Sequence, residues 1–509
     1  SRRRFDVTRL MEDVSMELVS IIEEHSMELP GIVVETESRR EYPLGPVAFH
    51  VLGYMGEIPE TQFDSLRELG YTYGEKIGRA GVEKQYQDAF RGTNGQEYVE
   101  VNAYGRRLGT IENMPRRLPV PGNDVYLTLD AGLQRVAEEL FPDSLRGAVA
   151  VLDPRNGEVL AMLSHPTVDP NIFSMASSLR SRNWAAIATD PAQPLNNRAT
   201  SGIYTPGSTF KLVAAVAALA SGHITPTTRM RRPCTGTYRI GRMYKSCWAA
   251  KGHGHLNIVG AIQKSCNIYY YQLGLLLGDS LINHYASLLG LGSLTGIDLP
   301  QERTGWLSGE VAYNERHKSR GWKWTPGLVC DHAIGQTQNV TPLQLALMVG
   351  SLAHGVYVFR PHVLKEIRDR QGAVVGRGHA EINTILDLQP AVLQTVHEGM
   401  IKVLQPGGTA GRAAVEGGDI GGKTGSAEWK KGEKTHGLFV GAAPMRDPRI
   451  AVAAVVENAG HGGTVAAPIA GGIFRHFFEN LAEERAADSL ASAQAGSDTT
   501  ALAGVEQAP

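Results

Sequence analysis

A serine three residues ahead of a lysine, Ser208-Thr-Phe-Lys211, opens a set of three short words; Ser265-Cys-Asn267 and Lys423-Thr-Gly425 complete it. Each word alone is cheap, since a Ser-x-x-Lys spacing arises by chance in most chains of this length. In this order, and each in a fitting local setting, they describe acyl transfer through a serine nucleophile. Thr205-Pro-Gly207 supplies a turn that sets Ser208 at the head of a helix, and Phe210 to Ala220 is apolar on every side, the mark of a helix inside a core. A hydroxyl at the first turn of such a helix has dry surroundings, and free backbone N–H groups there favour developing negative charge. Lys211, one turn on, returns to the hydroxyl's face. Desolvation lowers a lysine's pKa, so neutral Lys211 can take the serine's proton. The bland alternative, a capping serine followed by an unrelated lysine, buries a lysine to no purpose, which is expensive.

The other two words supply the partners. Ser265 can relay a proton between Lys211 and a departing amine, and Asn267 can hydrogen-bond a substrate amide carbonyl; as isolated residues, both are ordinary helix caps. Gly421 to Ala427 reads as a strand, in which Thr424 and Ser426 share a face and Gly425 carries no side chain. A bare position lets backbone approach a ligand closely. The Ser426 N–H, paired with that of Ser208, makes an oxyanion hole, and Lys423 offers positive charge to a substrate carboxylate. A phosphate-loop reading of Gly-Lys-Thr fails, because Leu404 to Gly422 lacks the upstream glycine spacing and no helix follows. The expected catalytic set is therefore Ser208, Lys211, Ser265, Asn267, Lys423 and Thr424, with Gly425 and Ser426 beside the substrate.

A second cluster has different chemistry. Cys234, Cys247, His253 and Cys266 fall in one loop-rich stretch with 12, 5 and 12 residues between them. Three thiolates and one imidazole make a complete tetrahedral zinc set, and a set of four closed to water predicts a structural role. His255 is an alternative to His253. The spacing is not that of a zinc finger, so a disulfide among these cysteines or simple buried thiols remain open. Cys266 is the middle of the second word, so a metal would tie this insert to the catalytic wall. Cys330 reads as a core thiol.

These residues need elements to position them. Leu10 to Glu24 has apolar residues at helical spacing and Gly31 to Glu35 looks like a strand. Asn113 to Gly122 is a linker by composition. Asp124 to Asp130 reads as a strand whose last residue caps a helix from Ala131, and Val149 to Leu163 as a hairpin around a Pro/Asn/Gly turn. Arg449 to Val456 is an apolar strand and Ala466 to Leu481 helical. Strands from both ends of the unit with a helical middle predict an α+β domain on an antiparallel sheet. The expected domains are a mixed α/β unit over 1–118, truncated at its start, a second unit over 119–482, and a disordered tail over 483–509, where large apolar groups almost vanish.

Bulk composition bounds the function. The 509 residues, 42% hydrophobic and 20% charged, are ordinary for a soluble globular protein of two or three domains. A net charge of −2 argues against a nucleic-acid binder, and the local arginine clusters, Arg2 to Arg4 and Arg229 to Arg242, read as solvated faces. No apolar run approaches the ~18 residues that span a bilayer. The chain opens on Ser1 rather than Met, so the expectation is a piece of a longer protein from which an anchor is missing.

Longer stretches support a resemblance. Gly78-Arg-Ala-Gly-Val-Glu-Lys-Gln-Tyr86, Arg91-Gly-Thr-Asn-Gly95, Tyr204 to Lys211, Ala333-Ile-Gly-Gln336 with Val340 to Ala346, and His436 to Ala442 together with Ala466-Ala-Pro468 resemble the class B penicillin-binding proteins, the elongation-type (penicillin-binding protein two) group most closely. The likeness runs from about residue 40 to 480. It implies a transpeptidase domain of the penicillin-binding-protein and serine β-lactamase type, an antiparallel sheet flanked by helices, preceded by a pedestal or dimerisation-like domain. It also implies a D,D-transpeptidase that cross-links peptidoglycan stem peptides during cell-wall elongation, so shaping the cell, and that β-lactams acylate. Some relatives hold a zinc where the cysteines lie. The likeness further implies a single-pass anchor in the inner membrane, a periplasmic catalytic domain, and partnership with a SEDS-family glycosyltransferase and other elongation proteins. The alternatives are a D,D-carboxypeptidase, a serine β-lactamase, and a non-catalytic β-lactam sensor, which would not need an intact Lys423-Thr-Gly425 strand.

Overall fold

The structure, a computed structural model, describes residues 10–503 apart from 30, 73, 102–106, 112, 113, 176 and 431. The chain separates into two units. The first takes Ser1–Leu127, Thr167–Leu195 and Leu364–Gly378, and the second the remainder.

In the first unit, Met16–Glu24 is helical as its spacing predicts, capped by the Ser15 side chain. Gly31 to Glu35 is not a strand; no regular element covers it. The small core gathers Phe49, Val168 and Phe173, with Tyr54 stacked on Phe173 at 4.2 Å between ring centroids. Glycines carry close backbone contacts here. A Cβ at Gly81, whose φ is +57°, would lie 2.4 Å from the Val51 carbonyl, and one at Gly92 2.2 Å from that of Val120. Buried Glu83 accepts from Arg40 Nε at 2.5 Å and from the Tyr42 hydroxyl at 3.2 Å. The expected linker is instead paired: Gln96 and Arg117 exchange both backbone hydrogen bonds, as do Thr93 and Val120. Asn113 lies outside the described residues. Asp124–Leu127 pairs with Leu364–Arg368, which carries this unit past the boundary expected at 118.

The second unit holds a five-stranded antiparallel sheet. Its elements include, in chain order, β1 (Gly147–Leu152), β2 (Val159–His165), α1 (Lys211–Ala220), β3 (Thr237–Ile240), β4 (Met243–Ser246), α2 (Ile258–Gln263), α3 (Asn267–Leu288), α4 (Pro342–His354), α5 (Pro390–Leu404), β5 (Gly421–Ala427), β6 (His436–Ala443), β7 (Ile450–Val456) and α6 (Gly462–Ala503). The sheet runs β5-β6-β7-β1-β2, joining strands from both ends of the unit as the α+β reading expects, while β3 and β4 form a separate hairpin. β1 and β7 are buried at every residue, which requires cover on both faces and explains their unbroken runs without a polar side chain. Small residues let that cover come close: a Cβ at Gly350 of α4 would meet the Ala451 methyl at 3.1 Å, and one at Gly437 of β6 would meet Val465 of α6 at 2.3 Å. Asp130 caps the helix Ala131–Leu140, accepting from the Leu133 N–H at 2.9 Å. The backbone of α6 continues to Ala503, where the composition predicts a disordered tail from 483. Alanine-rich sequence has high helix propensity, and an established helix extends through it at low cost. Residues 504–509 lie outside the described residues. Among the described residues, no helix is long and apolar enough to cross a membrane.

Candidate active site and thiolate cluster

Ser208 sits, half-buried, in a 3₁₀ turn, Gly207–Phe210, that runs directly into α1. Three glycines fix the surroundings. Gly207 has φ +52°, and a Cβ there would lie 2.7 Å from the Ser426 carbonyl oxygen. A Cβ at Gly425 would lie 2.9 Å from the Pro206 oxygen, and one at Gly335 2.4 Å from that of Gly207. Only bare backbone lets the nucleophile turn, β5 and the Gly335 turn touch in this way. The Gly207 N–H donates to the Gly335 oxygen at 3.1 Å, and Gln336 Nε2 to the Ser426 oxygen at 3.4 Å.

The opposite wall is made of side chains. Ser265, between α2 and α3, is buried and adopts φ +50°, a left-handed conformation uncommon for a residue with a Cβ and typical of functional sites. Its Oγ lies 3.2 Å from Lys211 Nζ and 2.8 Å from Lys423 Nζ. Lys211 Nζ also donates to the Ser265 carbonyl at 2.9 Å and to Asn267 Oδ1 at 2.7 Å. Both lysines are fully buried. Burial brings Lys211 down to about 8, against a smaller opposing pull from the nearby Cys266 and Cys247 sulfurs. The displacement from the ordinary lysine value is worth about 3 kcal/mol. Burial, reinforced by the charge of Lys211, pushes Lys423 well below the ordinary range.

These contacts bring the three words together and revise one role. The Lys211 amine is engaged with Ser265 and Asn267, and Ser208 Oγ makes no hydrogen bond among the described residues. Lys423 was expected to meet a substrate carboxylate; it is sealed inside, donating to Ser265 Oγ and, at 3.1 Å, to the Thr424 oxygen, because a strand residue facing the core cannot also face the groove. Thr424 Oγ1 lies 2.6 Å from Thr409 Oγ1, and Ser426 Oγ lies 3.4 Å from His461 Nδ1. Asn267 Nδ2 donates to the Ser246 oxygen at 3.3 Å, leaving one amide hydrogen.

The sequence reading missed Trp248, whose indole N–H donates to the Lys264 and Ser265 carbonyls at 3.0 and 3.2 Å. It also passed over Thr409 and His461. None of the three lies in a motif; they reach the site only through the folded loops.

Trp248 belongs to the cysteine stretch, and its ring lies 5.1 Å from that of His253. Ligand atoms of Cys234, Cys247, His253 and Cys266 all fall within 4.8 Å of one another. His253 Nδ1, rather than a nitrogen of exposed His255, lies 3.6 Å from Cys234 Sγ and 3.5 Å from Cys247 Sγ. Glycine again permits the wrap: a Cβ at Gly252 would stand 2.0 Å from the Cys234 oxygen. All four cysteines are free thiols. The neighbouring Cys266 sulfur holds the Cys247 thiol below the ordinary thiol value, while Cys247 and burial push the Cys266 thiol up. A tetrahedral zinc with sulfur at about 2.3 Å needs ligand atoms about 3.8 Å apart, so the donor set and its spread fit that ion. Cys330 stands apart, its Sγ 3.6 Å from the Tyr271 oxygen and its thiol pushed up to about 12 by burial, as a core thiol should be.

Comparison with known proteins places this geometry. A family model described as the penicillin binding protein transpeptidase domain matches residues 147–475, and one described as the penicillin-binding protein dimerisation domain matches residues 1–127. The peptidoglycan D,D-transpeptidase MrdA of Acinetobacter baumannii is 35% identical over 491 residues, covering 91% of this chain and 71% of the relative. Among solved structures, Pseudomonas aeruginosa PBP2 in complex with WCK 5153 superposes with a TM-score of 0.71 at 32% identity, covering 87% of this chain and 91% of that one. The complex between PBP2 and MreC from Helicobacter pylori superposes with 0.78 at 27% identity, covering 92% and 84%.

Proposed function

The chain belongs to the penicillin-binding protein transpeptidase family, and we propose that it cross-links peptidoglycan as a D,D-transpeptidase through an acyl-enzyme on Ser208. The observation that carries the reading is Ser265 Oγ held between two buried lysine amines beside the turn that presents Ser208. Ser208 Oγ attacks the carbonyl between the two terminal D-alanines of a stem peptide, and its proton passes to neutral Lys211. The backbone N–H groups of Ser208 and Ser426 take the oxyanion, on the turn and strand that Gly207 and Gly425 bring together. The C–N bond then breaks, and the departing D-alanine amine receives the proton from Lys211 by way of Ser265 Oγ. An amino group of a neighbouring stem attacks the Ser208 ester, gives up its proton along the same path, and Ser208 leaves as the hydroxyl. Thr424 and Ser426 offer hydroxyls to the terminal carboxylate, Asn267 its remaining amide hydrogen to the substrate, and Lys423 holds Ser265 in place.

A D,D-carboxypeptidase would differ only in using water as acceptor, and a serine β-lactamase in rapid hydrolysis of the acyl-enzyme. Incubation with a labelled penicillin followed by mass spectrometry tests the reading: the wild-type chain gains mass on the peptide carrying Ser208, and Ser208→Ala does not. An acyl-enzyme that persists for hours supports the penicillin-binding reading, and one lost in milliseconds would turn it to a β-lactamase. Cross-linked products from uncross-linked glycan strands separate transpeptidation from carboxypeptidation.

We also propose that Cys234, Cys247, His253 and Cys266 hold a structural zinc, which when bound would clamp the loop and the Ser265 wall as one body. Support comes from the donor set, its spread of 4.8 Å and the free thiols. One zinc per chain by elemental analysis, lost on Cys247→Ser, is the expected result; no metal in the purified wild type would end it. The substrate, outside the cytoplasmic membrane, supports a periplasmic placement with a single-pass anchor, and the PBP2–MreC neighbour supports elongation-complex partners; the family resemblance adds a SEDS-family glycosyltransferase to the proposal.

A further inference from the structure

The chain as a whole is balanced, with 50 basic and 52 acidic residues, yet between Asp190 and Asp279 stand six arginines and four lysines without one Asp or Glu. Lys211 is buried and Lys245 pairs with Asp331 at 2.6 Å. Arg231, Arg232, Arg239, Arg242 and Lys251 instead face solvent, and none has an acidic partner among the described residues. Like charges so gathered repel one another and project a positive field. They converge on the β3–β4 hairpin, where aromatic rings interleave with them. The Arg232 guanidinium lies 5.6 Å from the Tyr238 ring and that of Arg239 6.0 Å from the Tyr244 ring, and Tyr244 is 69% exposed. An amphipathic ring in water beside unpaired arginines suits a ligand that has both flat apolar faces and anions.

The hairpin is also tied to the catalytic groove. The carbonyl of Ser246, its last residue, accepts from Asn267 Nδ2 at 3.3 Å and from the Tyr271 hydroxyl at 3.2 Å. From that residue, β4 reaches back to the Gly241–Arg242 turn over about 13 Å at about 3.3 Å per residue. A stem peptide of about five residues spans about 17 Å when extended. The hairpin and an extended stem peptide are therefore of similar length.

Resting on the transpeptidase reading above, we propose that the β3–β4 hairpin and the basic segment leading into it form a landing surface for the carboxylate-bearing glycan strand, outside the catalytic groove. The arginines meet stem-peptide carboxylates, and Tyr244 packs on a sugar face. Exposed pairs of this kind contribute little singly, so the surface works by its number of charges and weakens with salt.

The test uses the full chain, a triple variant Arg231→Gln/Arg239→Gln/Arg242→Gln, and soluble uncross-linked peptidoglycan strands as the probe. The variant is expected to bind strands about tenfold more weakly, as three exposed contacts of about 0.5 kcal/mol each allow, and to acylate with penicillin at the wild-type rate. Amidating the strands' carboxylates is expected to weaken wild-type binding to the same degree. Equal strand binding by variant and wild type would overturn the proposal, as would indifference to amidation. So would loss of binding to phosphatidylglycerol vesicles with strand binding intact, which would make this a membrane-facing patch. A wild-type chain that fails to acylate would instead sink the transpeptidase reading, and penicillin reports on that separately.

Discussion

The two walls of the catalytic groove are built on opposite plans. On the nucleophile side, backbone meets backbone: the Ser208 turn, the Gly335 turn and β5 approach through three glycines whose missing Cβ atoms would clash at 2.4–2.9 Å. On the Ser265 side, side chains do the joining, through two lysine amines, an asparagine amide, an indole and a ring of thiols. The first plan is unforgiving, since one added carbon forces a strand aside. The second is graded, because each hydrogen bond can be lost alone. Oxyanion donors need fixed backbone N–H groups, whereas proton transfer needs amines of tuned pKa, and each wall follows its task.

The sharpest way to break this contrast is Gly207→Ala. A residue with a Cβ at φ +52° costs about 1–2 kcal/mol, and the new methyl would press on the Ser426 oxygen. Displacing nucleophile or oxyanion strand by about 1 Å costs about a hundredfold in rate. Acylation of a chromogenic cephalosporin should therefore fall by that factor or more while metal content stays at the wild-type level. Wild-type acylation by this variant would remove the backbone argument. The next effect is pH. The base works deprotonated and burial sets it at about 8, so about a tenth is neutral at pH 7. The acylation rate should climb nearly tenfold per pH unit below 8 and level off above it, since each proton lost adds working base. A rate flat from pH 6 to 8 would take the proton-acceptor role from Lys211.

The same contrast governs what could be read from the chain. The three words, the buried helix after Ser208 and the apolar strands β1 and β7 were legible because local residue types and short periods dictate them. The glycine contacts were half legible: Gly425 announces a bare strand position, but that Gly207 lies under Ser426 depends on chain segments more than two hundred residues apart. The inward turn of Lys423 was misread, because strand alternation tells which residues share a face but not which face meets the core. The expected strand at 31–35 and linker at 113–122 were misread for the same kind of reason. Short apolar or proline-rich runs take their state from pairing partners that no local pattern names.

On the graded wall, Cys247→Ser should have an intermediate effect. It removes one of the four ligands proposed for zinc and frees the loop that carries Trp248, so under that proposal we expect loss of metal, a melting temperature lower by several degrees, and acylation slowed several-fold rather than abolished. Unchanged melting with the metal gone would uncouple loop from wall. The smallest and most discriminating change is Trp248→Phe. The aromatic ring beside His253 is kept, and only the N–H that holds the Lys264 and Ser265 carbonyls is lost. One net hydrogen bond is worth about 1 kcal/mol, about a fivefold change. Because that bond helps hold Ser265 at φ +50° with its Oγ between the lysines, the loss should appear in the maximal acylation rate and not in the concentration of penicillin that half-saturates it. Its pH midpoint should move as well, since Lys211 shares the Ser265 carbonyl. If the half-saturating concentration alone rises, Trp248 acts as a wall for the ligand, and the link from thiol loop to proton path runs through Cys266 and not through the indole.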